Sequence, residues 1–145
     1  MSNTRYFLQT ELSPSCCEGA PFLPDHVIQN VPKALHHLLT DREWSSAMSH
    51  LQSITMDQVP SNCTRCALPF CFGVCGCFCL YNKYSTLVDR LSVAIKQLNA
   101  EVFNPKGMHI ALQAMRASVC SAGTPVLVIA LTPEESMILR TEKAI

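Results

Sequence analysis

Tyr84-Ser85-Thr86-Leu87-Val88-Asp89-Arg90-Leu91-Ser92-Val93-Ala94-Ile95-Lys96-Gln97-Leu98-Asn99-Ala100-Glu101-Val102-Phe103 has the spacing that decides the fold. Leu87, Val88, Leu91, Ile95, Leu98 and Val102 recur every three or four residues. In a helix that rhythm collects them on one stripe, with Asp89, Arg90, Lys96, Gln97 and Glu101 largely off it. Asn104-Pro105-Lys106-Gly107 stops the pattern with residues that cannot continue a helix.

Upstream, Thr40-Asp41-Arg42-Glu43 has the form of a capping box: a hydroxyl for one free amide and a carboxylate three residues later to serve the other. Trp44, Ala47, Met48, Leu51 and Ile54 follow at helical spacing, with Ser45, Ser46, Ser49 and Gln52 mostly opposite, so a second amphipathic helix is expected to end before Pro60. The Trp44 stripe reads as core rather than as a docking surface. Val31 to Leu39 suits a short helical turn opened by Pro32.

Tyr6 to Leu12 reads as a short strand. Pro125-Val126-Leu127-Val128-Ile129-Ala130-Leu131, bounded by Gly123-Thr124 and Thr132-Pro133, reads as a mostly buried one. Met108 to Cys120 fits helix or strand equally. Residues 13–31 form an irregular, proline-rich connector from which Phe22, Leu23, Val27 and Ile28 can dock. Glu134-Glu135 reads as a solvated cap after the last strand. Residues 1–145 are thus expected to form a single α+β domain, with two amphipathic helices on a small antiparallel sheet built from Tyr6–Leu12 and Pro125–Leu131.

Composition narrows the function. The 145 residues carry eleven basic and eleven acidic side chains, and only 15% are charged against 48% hydrophobic. Such a chain is not broadly disordered, and a zero balance lacks the basic surface on which nucleic-acid binding depends. Met1 to Leu12 has no apolar core of the kind a signal peptide needs, so a cytosolic location is expected and the sequon Asn62-Cys63-Thr64 is read as accidental. Met-Ser at the start lacks the glycine for myristoylation, and Glu142-Lys143-Ala144-Ile145 has no prenylatable cysteine. Any lipid is therefore expected on an internal cysteine.

The nine cysteines are unevenly placed. Cys16 and Cys17 are adjacent and Cys120 stands alone, whereas Cys63, Cys66, Cys71, Cys75, Cys77 and Cys79 crowd into residues 63–81, uncharged from Ala67 to Tyr81. A disulfide scaffold would spread them. Cys63-x-x-Cys66 opens the way to a zinc-binding interaction module, yet the later gaps of five, four, two and two are interleaved with Phe, Leu and Val rather than forming a second knuckle. A redox dithiol lacks the preceding strand and the helix opening on it. A buried cysteine core suits Cys120 but fits poorly with a stretch broken by Pro69, Gly73 and Gly76.

A membrane-interface segment accounts for more of these features. Fifteen helical residues rise only about 22 Å, short of the ~30 Å hydrocarbon core, and Pro69, Gly73 and Gly76 argue against one straight helix. The segment is expected to dip into the interface, with Arg65 and Lys83 meeting anionic headgroups. Cysteines in such surroundings are sites of S-palmitoylation.

The Pro32-Lys33-Ala34-Leu35 element, the amphipathic helix after it, the cysteine-rich stretch and the helix closing in Leu98-Asn99-Ala100-Glu101-Val102-Phe103-Asn104-Pro105-Lys106-Gly107 resemble the cysteine-rich hydrophobic domain family. The late apolar strand completes the likeness, which spans roughly Val31 to Pro133. Relatives of that family include the golgin-type accessory subunit of DHHC-type protein palmitoyltransferases. The resemblance implies a palmitoylated adaptor on the cytosolic face of Golgi, vesicle or plasma membranes. Its partners would be membrane lipid and a transferase or trafficking protein. It also implies lipid attachment at Cys66, Cys71, Cys75, Cys77 and Cys79, which match the cysteine-rich block.

Catalysis is not expected. His36-His37 lacks the flanking Asp and Cys of a transferase motif, and His26, His50 and His109 give no local signature. No phosphate loop, His-Glu-x-x-His motif or carboxylate pair is present, and no cofactor, resident metal or small-molecule substrate is implied.

Overall fold

The computed structural model describes residues 4–10, 23–58, 74–115 and 124–142. In chain order these form β1 (Arg5–Gln9), α1 (Asp25–Gln29), a 3-10 turn (Lys33–Leu35), α2 (Asp41–Gln58) and α3 (Val74–Leu98). A π turn (Asn99–Phe103), a second 3-10 turn (Asn104–Lys106), β2 (His109–Met115), β3 (Thr124–Ala130) and α4 (Pro133–Thr141) follow. The class is α+β.

The sheet is antiparallel with order β1-β3-β2, so the late apolar strand is central. Leu127 and Ile129 point to one face with Leu8, Ile110 and Leu112, into the core that α2 and α3 close. Val126, Val128 and Ala130 point to the other with Ala111, against Leu139 of α4. A strand covered on both faces has no polar side to keep, which explains why 126–130 reads as a continuous apolar run. The segment left open between helix and strand, after Met108, is β2.

The two long helices run antiparallel, since Lys106, just beyond the end of the α3 and π-turn run, reaches back to the start of α2. Its Nζ lies 2.7 Å from Glu43 Oε2 and donates to the Leu38 carbonyl at 3.1 Å. Glu43 also completes the expected capping box: its Oε2 accepts from Thr40 N and Oγ1, and its own N–H donates to Thr40 Oγ1. Trp44, Ala47, Met48 and Leu51 are buried, and Trp44 Nε1 donates to the Val27 carbonyl at 2.8 Å. The Trp44 stripe is core, as expected.

Four sequence expectations change. The connector is not irregular throughout: it holds α1, which packs on α2, while Leu23 and Ile28 dock as expected and residues 11–22 lie outside the described residues. The second helix begins at Val74, about ten residues earlier than Tyr84. Gly76 is tolerated because a glycine in an otherwise good helix costs only about 1 kcal/mol, and Pro69 and Gly73 lie outside the described residues. The run to Phe103 is not α-helical throughout, because its last turn widens into the π turn.

Finally, Glu134-Glu135 opens α4 instead of capping a strand. Thr132 Oγ1 accepts from the Glu135 amide and Pro133 sits in the first turn. Glu135 is also drawn into an ion pair with Arg5 on β1, whose guanidinium forks onto Glu142 at 2.7 and 3.0 Å. These contacts strap α4 across the sheet. Gly107, at φ +75°, turns the chain from the helical layer into β2, and a Cβ there would lie 3.2 Å from Pro133 Cγ.

Lys106, then the two Thr40 donors, hold the Glu43 carboxyl at about 2, down from an ordinary 4.5. A depressed folded-state pKa contributes stability that is present above 4.5 and is lost as pH falls toward 2. The urea midpoint of Glu43→Gln should therefore lie below that of the unsubstituted protein at pH 6 and converge with it by about pH 2.

Candidate functional site

Of the five cysteines matched to the family block, Cys66 and Cys71 lie outside the described residues, as do Cys63, Cys16, Cys17 and Cys120. Cys75, Cys77 and Cys79 fall in the first two turns of α3, which opens Val74-Cys75-Gly76-Cys77-Phe78-Cys79-Leu80-Tyr81 and meets its first charge at Lys83. The cysteine-rich stretch and the second amphipathic helix are thus partly one element.

The described side chains of α3 begin at Ser85. Ser85 and Thr86 are exposed, Leu87 is buried, and Leu91, Ala94, Ile95 and Leu98 continue the buried stripe. At about 1.5 Å per residue, Cys79 stands about 12 Å and Cys75 about 18 Å along the axis from Leu87. The 25-residue helix therefore carries its cysteines in its first two turns and its described buried stripe from Leu87 to Leu98. The antiparallel hairpin sets the end of α2 and the start of α3 at the same pole, opposite the Glu43–Lys106 pair. Among the described residues no helix is long and apolar enough to cross a membrane, and no three His, Cys, Asp or Glu residues gather to hold a metal.

On the flank of the hairpin, a groove of about 440 Å³ lies between His50 and Ile54 of α2 and Thr86, Arg90, Val93 and Gln97 of α3. Val93, two-thirds exposed, joins Ile54 and Ala94 as its apolar lining. Among the described residues the groove offers one basic and one acidic residue, Arg90 and Asp89, beside the His50 imidazole and the Thr86 hydroxyl.

A more polar cleft, of about 250 Å³, lies along β2 between α3 and α4. Ser92, Lys96 and Asn99 line one side and Arg140 and Glu142 the other, over Ile110, Ala111 and Leu112. Asn99 is buried and uses both ends of its amide on one residue: Nδ2 donates to the Ile110 carbonyl and Oδ1 accepts the Ile110 N–H, each at 2.8 Å. It imitates the next strand for one residue pair.

At the end of the cleft, Asn104 Oδ1 accepts from Arg140 Nη2 at 2.8 Å and lies 3.2 Å from His109 Nδ1. Burial first, and Arg140 second, push the His109 imidazole below its ordinary pKa, favouring its neutral form. His26, His36, His37 and His50 are exposed. Sequence reasoning overlooked Asn99, a polar residue at the end of an apolar stripe. It also overlooked α4, although Thr132-Pro133-Glu134-Glu135 carries a legible capping pattern.

Removing the Asn99 amide strands two buried backbone groups, each worth about 1–3 kcal/mol. Asn99→Ala should lose about 2–4 kcal/mol, read as a lower urea midpoint at unchanged slope. No protein-family model, no curated protein and no solved structure matches this chain.

Proposed function

We propose that the protein is a palmitoylated, non-catalytic adaptor of the cytosolic membrane face, acting as an accessory subunit of a DHHC-type palmitoyltransferase or as a Golgi-to-surface trafficking factor. The observation that supports this reading most is the division of α3. Cys75, Cys77 and Cys79 occupy an uncharged N-terminal portion that leads, without a break in the helix, into a stripe buried from Leu87 to Leu98. A lipid on such a cysteine transmits its hold on the membrane to the folded core through a rigid element.

The chemistry favours several acyl chains over one. Each buried methylene adds ~0.8 kcal/mol, but a single chain gives only marginal, reversible attachment, and two or more hold firmly. Cys66, Cys71, Cys75, Cys77 and Cys79 supply that multiplicity within fourteen residues of sequence. The family resemblance, through Pro32 to Leu35 and the Leu98 to Gly107 helix end, supports the transferase partner.

Acyl exchange on the full chain expressed in cells tests the reading. Strong hydroxylamine-sensitive labelling and recovery with membranes are expected, and both should collapse when Cys71, Cys75, Cys77 and Cys79 are all changed to serine. An unlabelled, freely soluble parent protein would sink the proposal. Labelling that survives the quadruple substitution would move attachment to other cysteines.

A further inference from the structure

We propose that the open edge of β2 receives an extended acidic peptide segment of a partner protein as a fourth strand. Among the described residues β2 pairs with β3 alone, and in an antiparallel ladder the outward N–H and C=O groups come from alternate residues. Ile110 is one of these, and Asn99 satisfies it. The next is Leu112, two residues on, so its N–H and C=O point away from β3 into the cleft between α3 and α4. Among the described residues neither has a partner there, although Leu112 is only 2% exposed. Backbone groups in so enclosed a place call for hydrogen bonds, and a strand lying along the edge supplies them in register.

Charge selects the kind of strand. Lys96 and Arg140 stand on opposite walls of the cleft, and among the described residues neither meets a carboxylate; Arg140 donates only to the neutral Asn104 amide. The one acid on the cleft among the described residues, Glu142, is already engaged by Arg5 and by Gln113 Nε2. A segment with glutamate or aspartate flanking its pairing residues would meet both cations, whereas a second β2 would bring a second Lys96 and Arg140 against the first. Asn99 fixes the register by closing the edge at Ile110. The surface lies on the sheet, apart from the cysteine-bearing turns, and does not rest on lipid attachment.

The test uses a ten-residue peptide alternating valine with glutamate, titrated against the full chain, with a lysine-for-glutamate version and a version N-methylated at alternate amides as controls. The acidic peptide should bind at least about tenfold more tightly than either control and slow exchange of the Leu112 amide about tenfold, the worth of one or two added hydrogen bonds. Lys96→Glu combined with Arg140→Glu should weaken binding by at least about tenfold. Both side chains are exposed, and Lys96→Gln with Arg140→Gln serves as a milder pair if the reversal impairs folding. Equal binding of the acidic and lysine peptides, or of the N-methylated one, would overturn strand addition. So would a Leu112 amide already protected in the free protein, whether by a second copy or by the chain itself.

Discussion

The apolar stripe of α3 has to be shielded from water on two sides, by α2 and by the inner face of the sheet, and the rest of the architecture depends on that burial. Leu91 is fully buried, Leu87, Ala94, Ile95 and Leu98 nearly so, and all belong to one cluster with Trp44, Met48 and Leu51 of α2 and Ile110, Leu112, Leu127 and Ile129 of the sheet. Each fully buried leucine or isoleucine contributes about 1.5–3 kcal/mol relative to exposure. Removing α3 would therefore open both of its neighbours at once. The connector belongs to the same cluster through Leu23 and Ile28, and Leu23 N–H donates to Gln52 Oε1 at 3.0 Å.

That dependence explains which parts of the fold were legible in the sequence. Where burial is one-sided, as in α2 and the second half of α3, periodicity and the Thr40–Glu43 cap announce the element. The two-sided strand β3 was legible by its unbroken apolar run. The first ten residues of α3 were hidden because Val74 to Tyr81 has no polar face to set a period, and glycine at 73 and 76 suggested a break. β2 was ambiguous because His109-Ile110-Ala111-Leu112-Gln113 has small or apolar residues toward both faces. α4 has a readable cap but nine residues and few buried positions, too little pattern to stand out. It is held instead by long-range contacts, Leu139 on the outer face of the sheet and the pairing with Arg5, which local sequence does not reveal.

The candidate site was legible in a different sense. Clustered cysteines in an uncharged stretch are visible in the sequence, but their relation to the core is not. The helix connects them: without interruption from Val74 to Leu98, it makes the position of Cys75, Cys77 and Cys79 a consequence of how Leu87 to Leu98 pack. The opposite pole is fixed by other means. The Glu43–Lys106 pair, 2.7 Å apart, joins the start of α2 to the turn that follows α3, and Gly107 then reverses the chain into the sheet.

The two edges of the sheet complete this division, because a three-stranded sheet must deal with the backbone groups on both. At β1, Arg5 carries a charge on the edge strand, paired with Glu135 and Glu142. A charged edge of this kind discourages a further strand. At β2 the device is the Asn99 amide, which closes one residue pair and stops, because a side chain can imitate one residue of a strand and no more. The adjacent groups at Leu112 are sheltered in the cleft between α3 and α4. Among the described residues this shelters the edge from indiscriminate edge-to-edge association without pairing it. With Lys96 and Arg140 on opposite walls, such an edge is selective by geometry and by charge at once.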